Sequence, residues 1–257
     1  MTTDFFTSVL NNYLTEPQAS LLNGIIFGHS LQTSKVFYNE IKIVGLLHLV
    51  VLSGTNITIL TSILADFLSF FSKRISTLIT ILAIILFVLF VGMEAPIIRA
   101  AFMSICTLVA IIYGKKDYSW LGLVLSLVFI YIFFRDWLGT ISLQLSYAAT
   151  VGILLVGQTT SKNRLWRQLK ISLAAQAFTT PIIFMYFHQV SLISPVSNLL
   201  MSELVAPLMI FGFLAAILGK ISYFLGLFPA YICQGLLTYM VWIIETLSKI
   251  PFAFYQF

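Results

Sequence analysis

Apolar residues run along this chain in long tracts, and polar residues gather in the short gaps between them, instead of sharing each helix face by face. Measured against roughly 20 apolar residues per crossing, the tracts predict about eight spanning helices, near 43–71, 75–92, 96–113, 119–134, 138–158, 171–187, 193–218 and 223–248. Pro96 and Pro195 fall where helices should open, while Pro181, Pro207 and Pro229 lie inside tracts and predict kinks or breaks. The start of the chain differs. Phe5, Phe6, Val9, Leu10, Tyr13 and Leu14 repeat at helical spacing with Asp4, Asn11 and Asn12 between them, which predicts a short helix lying along a bilayer surface. Residues 17–27 predict a second surface or half-buried helix.

The first tract is too long for one straight crossing of about 30 Å at 1.5 Å per residue. It also holds His48 and the polar run Ser53-Gly54-Thr55-Asn56, which predicts a break dividing it into two shorter helices. Hydrocarbon offers no water to such groups, so they should face a protein interior or a wet cavity.

Composition agrees with the tracts: 60% of residues are hydrophobic, 9% are charged and mean hydropathy is +1.01, against roughly 25% charged in soluble domains. The fold class expected is all-α, a polytopic transmembrane helical bundle with at least one broken helix and an N-terminal interfacial helix. It forms a single membrane domain over 1–257, with interfacial helices in 1–35 and the bundle over 43–248. One set of alternate loops carries Lys73, Arg74, Lys115, Lys116, Lys162, Arg164, Arg167, Lys170 and Lys220, and the other only Arg135 and Lys249. The basic set should face the cytoplasm. Eight full crossings then put both termini outside, and a re-entrant turn at the break would move the N-terminus inside. The two cysteines sit apart in apolar tracts and suggest packing rather than a disulfide or metal cluster.

Five blocks carry a family resemblance. They are Glu16-Pro17-Gln18-Ala19-Ser20-Leu21-Leu22-Asn23-Gly24 with Gly45-Leu46-Leu47-His48-Leu49-Val50-Val51-Leu52-Ser53-Gly54, then Pro96-Ile97-Ile98-Arg99-Ala100-Ala101-Phe102-Met103, Leu143-Gln144-Leu145-Ser146-Tyr147-Ala148-Ala149-Thr150 and Ser194-Pro195-Val196-Ser197-Asn198-Leu199-Leu200. In this order they resemble the competence domain of ComEC-type DNA uptake channels. Many members have Leu-His after Ser-Gly, where this chain has Thr55-Asn56. Longer members add an oligonucleotide-binding-type and a metallo-β-lactamase-like domain, for which 257 residues leave no room, and no nuclease activity is expected of this polypeptide.

The resemblance implies a channel in the cytoplasmic membrane that admits single-stranded DNA during natural transformation. It also implies a DNA receptor on the outer face and a cytoplasmic helicase-like motor as partners, beside the lipid bilayer itself. A strand needs polar lining and some positive charge, and the candidates for its path are His48, Ser53, Thr55, Asn56, Arg99, Gln144, Ser146, Asn198 and Glu203. Each has a plainer reading: Arg99 can snorkel or pair with Glu94, His48 can bond a backbone carbonyl, and Gln144, Ser146 and Asn198 can join helices. Glu203 and Asp66 are costly in lipid unless protonated or paired. A secondary transporter of a small solute, built on the same broken helix, is the alternative. An intramembrane serine protease using Ser53 with His48 or His188 is weighed last, because Ser53 lacks the preceding Gly-x of the rhomboid motif. No enzyme activity, metal or cofactor is expected.

Overall fold

The computed structural model describes residues 2–50, 53–115, 119–157, 163–251 and 254–256; the predicted loop residues Lys116, Asp117, Gln158 and Lys162 lie outside them. Twelve α-helices and two short strands follow one another among these residues. Helix α1 (Thr2–Asn11) is the predicted amphipathic segment, and its Leu10 is fully buried while Phe5 stays exposed. Its end docks where two later helices meet, with Tyr13 Oη donating to the Tyr223 carbonyl at 2.9 Å and stacking on the Tyr223 ring at 4.8 Å.

Helix α2 (Gln18–Phe27) corrects the expectation of a surface or half-buried helix. Every residue from Ala19 to Phe27 is buried. Its apolar residues are spread around the helix and its buried polar side chains find partners, Asn23 donating to Asn11 Oδ1 at 2.8 Å and Ser20 accepting from the Gln32 amide at 2.7 Å, so the rest of the bundle closes around it. Gly24 makes this closure possible, since a Cβ there would lie 2.4 Å from the Val50 carbonyl oxygen. Gly212 does the same on the other side, where an added Cβ would lie 2.1 Å from Ile26. Small residues at such crossings are how helices approach closely without a hydrophobic driving force from water.

The predicted first span 43–71 holds two helices, as the break implied, and a further helix ends at its start. Helix α3 (Lys35–Val44) begins at the Ser34 cap, whose side chain accepts from the Phe37 amide, and ends where Gly45 turns left-handed at φ 76°. Helix α4 (Leu47–Val50) is a single turn, and α5 (Gly54–Phe67) starts at Ser53, whose side chain accepts from the Thr55 amide. The expected break is therefore where the polar run put it. A second break at Gly45 was not foreseen.

Helices α6 (Lys73–Val91) and α7 (Ala95–Ile112) follow, the latter opened by Pro96 as expected, then α8 (Ser119–Phe133). A 3₁₀ turn (Arg135–Gly139) leads to α9 (Ile141–Gly152), which runs on into a π-helical turn over Ile153–Gly157. Helix α10 (Arg164–Phe187) starts seven residues before the expected 171, because Asn163 caps it by accepting from the Leu165 and Trp166 amides. Strand β1 (Gln189–Ser191) precedes α11 (Ser194–Ile221) and α12 (Tyr223–Ser248), and pairs antiparallel with β2 (Phe254–Gln256). Pro181, Pro207 and Pro229 interrupt none of their helices.

Of the eight expected spans, α6, α7, α11 and α12 are long and apolar enough to cross a membrane on their own. The others are shorter, interrupted or more polar. The main core joins α1, α2, α3, α11 and α12, and a second core joins α5, α6 and α7 through Ile57, Ile84 and Ile97. The polar break between α4 and α5 lies where these two cores meet.

Candidate functional site: a polar cavity at the helix break

Two polar stripes face each other across α10 and α11. Gln168, Ser172 and Gln176 follow one another at four-residue spacing on α10, and Ser194, Asn198 and Ser202 do so on α11. Four-residue spacing keeps side chains on one face of a helix. The helices run antiparallel, and Asn198 Nδ2 comes within 3.4 Å of both Ser172 Oγ and Ser194 Oγ. Farther along, Gln176 Nε2 donates to the Ser191 carbonyl at 2.8 Å.

The break supplies the third wall. His48, Ser53, Thr55 and Asn56 from α4 and α5 join Gln168 and Ser172 from α10 and Asn198 and Ser202 from α11 around a cavity of about 280 Å³. Leu49, Ile171, Leu199 and Val205 complete the lining, which contains no lysine, arginine or carboxylate. His48 is exposed, lines the cavity and sits beside the Asn198 carboxamide and the Gly45 carbonyl. The carboxamide oxygens Asn198 Oδ1 and Gln168 Oε1 are buried with no hydrogen-bond partner among the described residues. A buried acceptor left empty costs about 1–3 kcal/mol, so the cavity holds unspent capacity to bind donors.

Asn56 is at the cavity wall but is held by the fold. Its Nδ2 donates to the Ile25 carbonyl at 2.6 Å, Ser53 Oγ donates to its Oδ1 at 3.4 Å, and it is 1% exposed. Ile25 lies in the last turn of α2, where carbonyls lack intrahelical partners. Asn56 therefore satisfies the end of the buried helix and fixes the break against it.

Arg99 lies on the other flank of the same break. Its guanidinium comes within 3.6 Å of where a Gly54 Cβ would stand, which makes it a direct neighbour of the break. One N–H donates to Thr150 Oγ1 at 2.6 Å, and Thr150 in turn donates to the Ser146 carbonyl at 2.9 Å. The cation sits 5.4 Å from the Tyr147 ring centre and is 7% exposed. Both plainer readings of Arg99 therefore fail, since it neither snorkels to a surface nor pairs with Glu94. Burial instead pushes the Glu94 carboxyl above its usual range, without an ion pair. Among the described residues no carboxylate neutralises Arg99, and its Nε is buried without a partner.

The remaining candidates divide. Glu203 stands at the rim, held by Arg164 from the start of α10 and by Gln168, which is the pairing its charge required. Gln144 accepts from Tyr186 Oη at 3.3 Å and joins α9 to α10, away from the cavity lining. Ser146 contributes its backbone carbonyl rather than its hydroxyl. Gln168, Ser172 and Ser202 were missed, and their four-residue stripes were the available signal.

An all-α helical membrane protein whose broken helix and two facing polar stripes bring polar side chains together around one open cavity is the class these features define. The chain belongs to the competence protein family, whose model matches residues 25–257. It is 25% identical over 198 residues to the ComE operon protein 3 of Bacillus subtilis (strain 168), an alignment covering 76% of this chain and 26% of that protein. This chain thus spans about a quarter of that relative's length. No solved structure matches it.

Proposed function

We propose that this chain forms the path by which a single DNA strand crosses the cytoplasmic membrane during natural transformation. The observation that carries the reading is the convergence of His48, Ser53, Thr55 and Asn198 on one polar cavity inside a bundle whose surroundings are apolar. Membership of the competence family gives the cargo. The cavity offers hydrogen bonding along the route, and Arg99, buried on the opposite flank of the break, adds positive potential near it without contacting the strand. In this reading the whole chain is one membrane domain with its basic loops toward the cytoplasm. It works with a DNA receptor outside and a helicase-like motor inside, and performs no chemistry of its own.

A deletion strain complemented with His48→Ala or Arg99→Ala tests the reading. Transformation by exogenous DNA should fall at least ~100-fold while the variant still accumulates in the membrane. Normal transformation in the uncomplemented deletion strain would overturn it. The small volume of about 280 Å³ also favours a second reading, a small-solute transporter built on the same broken helix. Loss of solute uptake with normal transformation in the same strain would select that one.

A further inference from the structure

We infer that the cavity is a holding site for one nucleobase of the strand, accepting any of the four, while the phosphates are served elsewhere. The inference rests on the strand-path reading and deepens it by naming which part of the nucleotide the cavity takes.

Charge decides between phosphate and base. Among the described residues the lining holds no lysine or arginine, and at the rim the Glu203 carboxylate is bonded to Gln168 and already paired with Arg164. A phosphate placed there would lose its hydration without gaining a free cation, because the guanidinium at the rim is engaged by Glu203. A neutral base meets no such penalty. Arg99, the buried cation, lies across Gly54 from the cavity rather than in it.

The donors and acceptors fit a base edge. Gln168 Oε1 is a buried acceptor without a partner among the described residues and Asn198 Oδ1 has only the neighbouring His48 imidazole beside it, and the exocyclic amines and ring N–H groups of bases are donors that suit both. Each carboxamide also carries an N–H₂, and the Ser172 and Ser202 hydroxyls rotate to donate or accept. A wall built from such reversible groups satisfies every base edge about equally. This is what a path for arbitrary sequence needs, and it contrasts with fixed arginine or carboxylate readers that select one base. Size agrees as well. A volume of about 280 Å³ lies just below the roughly 300–1,000 Å³ of ligand sites, which leaves room for one base. The His48 imidazole supplies one ring for contact with the base face.

The test uses the full chain in lipid nanodiscs and fluorescein-labelled single-stranded 12-mers, read by anisotropy. A mixed-sequence strand should bind about tenfold more tightly than an abasic strand of equal length and charge, the equivalent of about 1.4 kcal/mol of base contact. Homopolymers of dA, dC and dT should agree within about threefold, and Asn198→Leu should abolish the tenfold gap. Photo-crosslinking of a 4-thiothymidine strand to the unmutated protein should map to 48–56 or 198–202, a readout independent of whether the variant folds. An abasic strand that binds as tightly as the base-bearing one, a gap that survives Asn198→Leu, homopolymers differing more than tenfold, or crosslinks mapping elsewhere would each overturn the base site and leave the strand path standing. Failure of every strand to bind would remove both.

Discussion

The two flanks of the break at Ser53-Gly54 are built from opposite materials. On the cavity side the polar groups are neutral, their mutual contacts are long at 3.4 Å, and two acceptors are left empty. On the Arg99 side a full charge is packed dry, bonded at 2.6 Å to Thr150 and faced by Tyr147, with space so tight that Gly54 cannot carry a Cβ without meeting Ala100 at 2.9 Å. One backbone interruption thus separates a loosely bonded space from a rigid cation. Neutral groups can be left unpaired for a modest cost, whereas a buried cation persists only where the fold over-determines its surroundings.

The largest effect should come from removing the support common to both flanks. Gly24→Val would drive a Cβ into the Val50 carbonyl, which is backbone and cannot yield. A loss of at least ~3 kcal/mol is expected, seen as failure to recover a monodisperse protein in detergent. Asn56→Leu comes next, because it strips the Ile25 carbonyl of its partner at the buried end of α2. It should cost about 1–3 kcal/mol, read as a lower midpoint of thermal unfolding, and a midpoint equal to the parent's would detach Asn56 from α2. Smallest in stability is a pair of charge changes that sharpens the contrast. Arg99→Met replaces an unneutralised buried cation by an apolar side chain and should leave the midpoint equal or higher while transformation fails. Glu203→Gln, at an ion pair whose two side chains are 69% and 41% exposed, should shift stability by less than ~1 kcal/mol.

The dry flank was half legible in the sequence. Arg99 was evident as a cation just inside a helix opened by Pro96, but nothing local to it announced Thr150 or Tyr147, which lie some 50 residues on. The cavity was legible at His48 and the Ser53–Asn56 run, whose polarity within an apolar tract is unusual, and at Asn198. Gln168 escaped because it lies in a basic stretch that reads as a loop, and the helix start there depends on one cap, Asn163; Ser172 escaped because a single serine at the start of a predicted span does not stand out. Gln144 takes the plainer of its two readings, a bond that joins helices: a polar side chain in an apolar tract reports that a partner exists, not whether it is a neighbouring tyrosine or a solute.

Hydrophobic tracts, their interruptions and the scarcity of charge were enough by themselves to make this an all-helical membrane protein with a helix broken near residue 53, since each depends on residues adjacent along the chain. Packing alone decided that the short α2 is the buried centre rather than a surface helix, that Asn56 closes its end, and that stripes on α10 and α11 meet the break around a cavity. Those outcomes turn on which helix faces which, and a side chain's role in a membrane is set by the partner that spares it from hydrocarbon, a partner that tertiary structure brings from far along the sequence.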